Sequence, residues 1–378
     1  MRLKPGNLPC CWYRISSRSR ATDRAVWAPS RALLSVSYAN AQRLVSCCSP
    51  DSLEPGAACG RNDKEENDMK KLFALLIALV LALTCVVALA EEKEDEENYE
   101  TGDASLDLVR NEDEIGESEL LVISFGTSFN DSRRLTIGGI EGAIAEAIPD
   151  FSVRRGFTAQ IIIDHVERRD GIHIDNVTEA LDRAVSNGVK KLVVQPTHLM
   201  HGFEYDELMA TLGEYADAFE QVVVGEPLLT SDDDFARVAQ VLVDVTKDYD
   251  DGQTAIVYMG HGTEHEYNKV YAQMQEVLTG MGAENYYIGT VEAEPSLDDV
   301  VAAIADKGYT RVVLRPMMVV AGDHANNDMA GDEEDTWKTV LTDAGYEVVC
   351  VLEGLGQVPE IQQLYVEHAQ AAVAQLAE

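Results

Sequence analysis

The chain has 378 residues, 46% of them hydrophobic, so it is long enough for two domains with sizeable cores. Its formal net charge of −36 argues against nucleic acid as a partner. Cysteines number seven, but five of them fall in residues 1–68, so no disulfide framework is expected in the remainder.

Residues 1–68 differ in kind from the rest of the chain. They hold 10 Lys/Arg against 7 Asp/Glu, whereas residues 91–378 hold 18 against 59. The reason lies at Met69, which opens "MKKLFALLIALVLALTCVVALAEE". Basic, apolar and small-residue regions succeed one another there, the order of a secretory signal peptide over 69–90. Such a signal works near a true N-terminus, so residues 1–68 are read as upstream mistranslation or a disordered segment. The chain is therefore expected to be exported, to the periplasm or another extracytoplasmic space. An uncleaved membrane anchor is the lesser alternative, because the run Leu72–Ala90 is long enough to span a bilayer. Residues 91–118, acidic and almost without aromatics, are expected to be a disordered leader.

From Glu119 the pattern becomes that of a folded domain. "ELLVISFGTS" reads as a buried strand entering a turn, followed by a helix from Asp131 to Ile148. "SVRRGFT" is the second strand candidate. "NVTEALDRAVSNG" is a helix with Asn176 as N-cap, Glu179 three residues on, and Gly188 at its end. "KKLVVQP" and "QVVVGEP" complete four strands, with helical stretches between and after them. "DDGQ" (250–253) is a polar break, and the series then restarts. "TAIVYMGHG", "NYYIGTVE", "TRVVLRP" and "YEVVCVLEG" are strands, with helices between them and a last helix from Pro359 to Leu376.

Strand–helix alternation with all-apolar strands predicts parallel sheets covered on both faces. The halves also resemble each other, since Pro196–Gly202 and Pro316–Gly322 repeat one spacing. The expectation is an α/β protein of two similar domains, 119–250 and 251–378. Each has a four-stranded parallel sheet flanked by helices, with a cleft between them where strand C-terminal ends face one another.

Three segments of the second half put polar groups at strand ends: His261 in "MGHGT", Glu292 in "GTVEAEP" and His324 in "AGDHANND". Each alone has a structural reading, as a turn, a helix-start carboxylate or a capping imidazole. Together they can converge, because all C-terminal ends of a parallel sheet emerge on one side. Two imidazoles and a carboxylate suit a borderline divalent metal such as Co²⁺, Fe²⁺, Ni²⁺ or Zn²⁺, with positions left open. Asp323 is a candidate to fix a histidine tautomer from behind. In the first half, Ser124, Gly126 and Thr127 of "SFGTS" offer small donors for an anionic group, and His201 with Gly202 can face the cleft. No phosphate loop and no nucleophile elbow is present in the sequence.

The motifs "VISFGTS", "RDGIHID", "MGHGTEHEYNKVY", "GTVEAEP", "MMVVAGDHANNDMAGDEEDTWK" and "LEGLGQVPEI" together resemble the class II chelatase family, most closely its anaerobic-type sirohydrochlorin cobaltochelatases. The resemblance covers about residues 119–376. It implies a two-domain α/β fold around a tetrapyrrole cleft, and insertion of Co²⁺ into sirohydrochlorin on the anaerobic route to cobalamin. His261, Glu292 and His324 then act as both metal ligands and catalytic groups. The metal is substrate, Fe²⁺ and Ni²⁺ being alternatives, and no organic cofactor is implied. Homo-oligomers are common in the family. The family pattern departs here in the export signal and acidic leader. Those features support one rival reading, an exported haem-, tetrapyrrole- or metal-binding protein on the same fold; a second rival is an iron-inserting enzyme for sirohaem. Among local cations, Arg133, Arg134, Arg154 and Arg315 are candidates to receive substrate carboxylates.

Overall fold

The computed structural model describes residues 101–376. The expected upstream segment, the signal peptide of 69–90 and the first ten residues of the expected leader lie outside the described residues. Among the described residues eight strands form two sheets of four: β1 (Ser118–Ser124), β2 (Ser152–Phe157), β3 (Lys191–Pro196) and β4 (Gln221–Val224), then β5 (Thr254–Gly260), β6 (Tyr286–Thr290), β7 (Arg311–Pro316) and β8 (Glu347–Cys350). The strand orders are β2-β1-β3-β4 and β6-β5-β7-β8, and every pairing is parallel. The halves thus share one topology, as the repeated pattern in the sequence implies.

Ten helices join and follow the strands among the described residues. They are α1 (Asn130–Leu135), α2 (Ile137–Ala147), α3 (Gln160–Asp170), α4 (Val177–Ser186), α5 (Phe203–Tyr215), α6 (Asp232–Asp244), α7 (Lys269–Gly280), α8 (Leu297–Ile304), α9 (Trp337–Asp343) and α10 (Pro359–Gln375). Asn176 caps α4 in a reciprocal box with Glu179, satisfying two orphan amides at that end. The single helix expected from Asp131 to Ile148 is instead α1 and α2, divided at Thr136, whose hydroxyl donates to the carbonyl of Ser132.

The central strands are apolar throughout, because both faces of each sheet are covered. One core runs through both halves, joining Leu120 and Val122 of β1 to Ile256 and Tyr258 of β5 and to one side of α10. That last helix returns to the first half. Its Ile361, Leu364, Tyr365 and Ala369 are buried, and the Tyr365 hydroxyl donates to the carbonyl of Thr197 at 2.8 Å, bracing the loop that leaves β3.

The leader is a correction. Residues 101–117 are tied to the first half, because their acids meet the buried guanidiniums of Arg133 and Arg155 and the half-buried one of Arg183. Asp107 accepts from Arg133 Nε at 2.8 Å and from Arg155 Nη1 at 2.7 Å, and Asp113 pairs with Arg183 at 3.1 Å. Burial alone would raise the Asp107 pKa, but the two guanidiniums outweigh it and hold the group below its ordinary value. Removing one partner of a buried ionic cluster leaves the other charge uncompensated. Asp107→Ala is expected to destabilise the fold by about 3 kcal/mol or more, measured as a fall in urea midpoint at unchanged slope. A loss below about 0.5 kcal/mol, the size of an exposed pair, would contradict this account.

Candidate metal centre

In a doubly wound sheet the ligand crevice opens where neighbouring strands send their crossovers to opposite sides. Here that happens between β1 and β3 and between β5 and β7. The loops leaving those strands line one cleft of about 950 Å³.

His261 follows the last residue of β5. Its neighbours must be small: a Cβ on Gly260 would lie 2.2 Å from the Tyr271 ring, and one on Gly262 would lie 2.8 Å from the amide nitrogen of Ala293. Gly262 also has φ +86°, a conformation that other residues rarely adopt. Glu292 is brought alongside by continued pairing beyond the strands. Val291 N donates to Gly260 O at 3.1 Å and Glu292 N to His261 O at 2.8 Å. His324 arrives from the β7 side, at the end of a loop stitched to the C-terminal segment by Leu355 N to Met318 O and Gly356 N to Val319 O. It sits at the head of a π-helical turn, Ala325–Met329, a local geometry common at functional sites.

The two rings stand edge to face, 4.6 Å between centroids, and His261 Nε2 is 4.0 Å from a Glu292 oxygen. One donor atom from each of the three residues lies within 4.8 Å of the others. Metal–nitrogen and metal–oxygen bonds of about 2.0–2.2 Å place two donors on one ion at most about 4.4 Å apart. Small side-chain rotations therefore close the set on a common ion. The tautomers are prepared for it. His261 Nδ1 donates to the carbonyl of Gly262 at 2.7 Å, and His324 Nδ1 donates to Asp328 at 2.7 Å. Neither acceptor can donate in return, so in the neutral tautomer of each ring the lone pair falls on Nε2. His261 and Glu292 are 45% and 57% exposed, which leaves coordination positions open to a second ligand.

Other expected residues divide. Ser124, Gly126, Thr127 and Gly202 line the cleft, and Gly126 has φ +107° with no room for a Cβ beside Phe157. His201 does not line it. Its Nε2 is held by Glu226 at 3.0 Å, and its ring packs on Tyr205 and Tyr267. Asp323 lines the cleft, but its carboxylate takes the Asn327 amide. The acid behind His324 is Asp328, one helical turn away rather than adjacent. The four suggested arginines do not line the cleft. Arg133 and Arg154 are buried in ion pairs, Arg315 pairs with Glu353, and Arg134 with Asp131. The lining guanidinium is that of Arg168 on α3.

A second cluster, His173, Asp175 and Glu179, also brings donor atoms together. Its centre is Asp175, whose oxygens already accept from Arg154 and, twice, from Arg183, while Glu179 serves the amide of Asn176. A divalent cation there would face two guanidiniums, so the cluster is a structural ion-pair network.

The chain is similar to known proteins over most of its described length. The family model described as cobalt chelatase (CbiK) matches residues 118–374. A sirohydrochlorin cobaltochelatase of Salmonella typhimurium is 35% identical over 256 residues, covering 67% of this chain and 96% of that protein. Sirohydrochlorin cobaltochelatase CbiKC of Nitratidesulfovibrio vulgaris is 28% identical over 68% of this chain and 91% of its own length. In fold the chain is similar to SirB from Bacillus subtilis, solved with Fe³⁺, with a TM-score of 0.51 at 12% identity over 69% of this chain and 98% of that one.

An acid that fixes a ligating histidine commonly contributes about 10–100-fold to metal affinity. Asp328→Asn is therefore expected to weaken Co²⁺ binding by about tenfold or more, read by titration of the full-length protein. Asp323→Asn should leave it within about twofold, and the reverse order would place the supporting acid at Asp323.

Proposed function

The chain belongs to the cobalt chelatase (CbiK) family, and from that premise we propose that it is a sirohydrochlorin cobaltochelatase, inserting Co²⁺ into sirohydrochlorin with release of two protons. The observation that carries this reading is the pair of imidazoles presenting Nε2 beside Glu292 in an open cleft.

Insertion must strip water from the ion and remove two N–H protons from the macrocycle. In this reading His261 and His324 hold the ion over the ring, so the exchange becomes effectively intramolecular. Glu292 offsets part of the metal charge. As the ion passes to the macrocycle nitrogens, the Nε2 of His261 is released. It then accepts the two pyrrole protons in succession, and Glu292, more exposed, passes each to solvent. His324 stays oriented by Asp328 throughout. The chemistry of the donors fits cobalt, iron and nickel alike, so the choice of Co²⁺ rests on the relatives' activity.

Incubation of the protein with sirohydrochlorin and Co²⁺, Fe²⁺ or Ni²⁺, followed by absorbance, is expected to give fastest insertion with Co²⁺. His261→Ala and His324→Ala should each lower the rate at least about 100-fold with an unchanged unfolding transition. Wild-type rates in either variant would refute the roles. Fastest insertion of Fe²⁺ would favour the sirohaem enzyme, and tight tetrapyrrole binding without insertion would favour a carrier.

The apolar run after Met69 further supports export of the chain. Cell fractionation should recover the protein outside the cytoplasm, with an N-terminus at Glu91 by sequencing. Recovery in the cytoplasm would overturn this. Membrane retention with an intact Met69 would mean an anchor instead.

A further inference from the structure

The metal donors all come from the second half, while the opposite wall of the cleft is built by the first. Helix α3 contributes Ile161, Asp164, His165 and Arg168 to that wall. These are spaced i, i+3, i+4 and i+7, which is one face of a helix. Ile161 is 77% exposed, although an isoleucine normally avoids water. Two further large apolar side chains at the same cleft are also open to solvent, Phe203 at 51% and Phe125 at 47%. Three exposed apolar groups from three separate segments thus rim one opening. Such a patch is what a flat, apolar surface would cover.

Charge makes the wall more specific. Five carboxylates line the cleft against the one guanidinium of Arg168, and no lysine lines it among the described residues. A macrocycle with carboxylate arms meets repulsion from most of the lining and attraction from that point. Ile161 and Arg168 are seven residues apart, about 10 Å along the helix. The apolar contact and the cation are therefore two ends of one edge.

We infer that the cleft face of α3 is the specificity-determining wall for the tetrapyrrole, with Ile161 bearing on the ring and Arg168 reading a carboxylate arm. This rests on the proposed function for the identity of the ligand, and it adds which residues select it. A guanidinium suits the role because it offers paired donors to a carboxylate, and its charge is permanent.

The test reads binding rather than insertion, so it stands apart from the chemistry. Metal-free sirohydrochlorin is titrated into the full-length protein and followed by absorbance, alongside the same ring with its carboxylates methyl-esterified. Arg168→Gln should raise Kd for the acid about tenfold, the size of one lost charge-assisted contact, and leave Kd for the ester unchanged. Arg168→Lys should fall between wild type and Arg168→Gln on the acid. Ile161→Asp should raise Kd at least about fivefold for both ligands. Wild-type affinity in Arg168→Gln, or an equal loss on acid and ester, would overturn the carboxylate assignment. An unchanged Kd in Ile161→Asp would overturn the ring contact. A wild-type protein that shows this pattern yet inserts no metal would defeat the proposed activity and leave the wall in place. One that binds neither ring would overturn both.

Discussion

Parallel pairing sends every strand of a sheet in one direction, so residues distant along the chain emerge together at one edge. The centre depends on that constraint being carried one step past the strands. The carbonyls of Gly260 and His261 accept from the amides of Val291 and Glu292, extending the β5–β6 ladder into the loops. Those bonds set the distance between an imidazole and a carboxylate 31 positions apart. They are possible because Gly262 turns the chain where a side chain would strike Ala293. His324 joins from β7, the other neighbour of β5. A slip of one residue in either pairing would turn a ligand away from the cleft, so the register of the second sheet and the metal geometry are the same fact.

Electrostatics depend on where the cations go. Arg133, Arg154 and Arg155 are buried in the first half, and each is balanced by acids from elsewhere in the chain. These groups give shape to the half and offer nothing to a ligand. Arg155 lies between Glu141 and Asp107, and Asp107 comes from the segment before β1. The first half is therefore held by ion pairs that draw in its own leader. The cleft keeps an acidic lining that suits a divalent cation, with the Arg168 guanidinium set into it.

The alternation of buried strands and helices was legible in the sequence, as were both parallel sheets and the three strand ends that meet. Those features depend on local periodicity and on a topology that periodicity implies. What was not legible depends on pairing at a distance. Residues 101–117 belong to a stretch with the composition of a disordered tail, and only the guanidiniums that they meet explain their order. Arg154 in a strand reads as a possible cleft residue until Asp175 and Glu119 are found around it. Asp323, adjacent in sequence, was the candidate to serve His324, whereas the structure gives that contact to Asp328. Helical geometry decides between them, because adjacent residues point apart while those four apart share a face. Arg168 had a signal that could have found it, the apolar-to-basic stripe from Ile161 on one side of α3.

The two halves share topology and the Pro-to-Gly spacing after β3 and β7, yet only one brings candidate metal donors together in the cleft, and its loops show why. In the first half the corresponding loop carries His198 and His201. Both ring nitrogens of His198 are buried without a hydrogen-bond partner, and burial pushes its pKa down to about 4. It is neutral at physiological pH, but those nitrogens are shut away from solvent and from an arriving ion. His201 is turned aside by Glu226 and enclosed by Tyr205 and Tyr267. In the second half the loop is longer before its imidazole, and His324 lies two residues beyond Gly322, where a π-turn and Asp328 aim it outward. Having histidines near strand ends is thus insufficient. A metal needs lone pairs that it can reach, and the fold leaves imidazole nitrogens reachable in one half while enclosing them in the other.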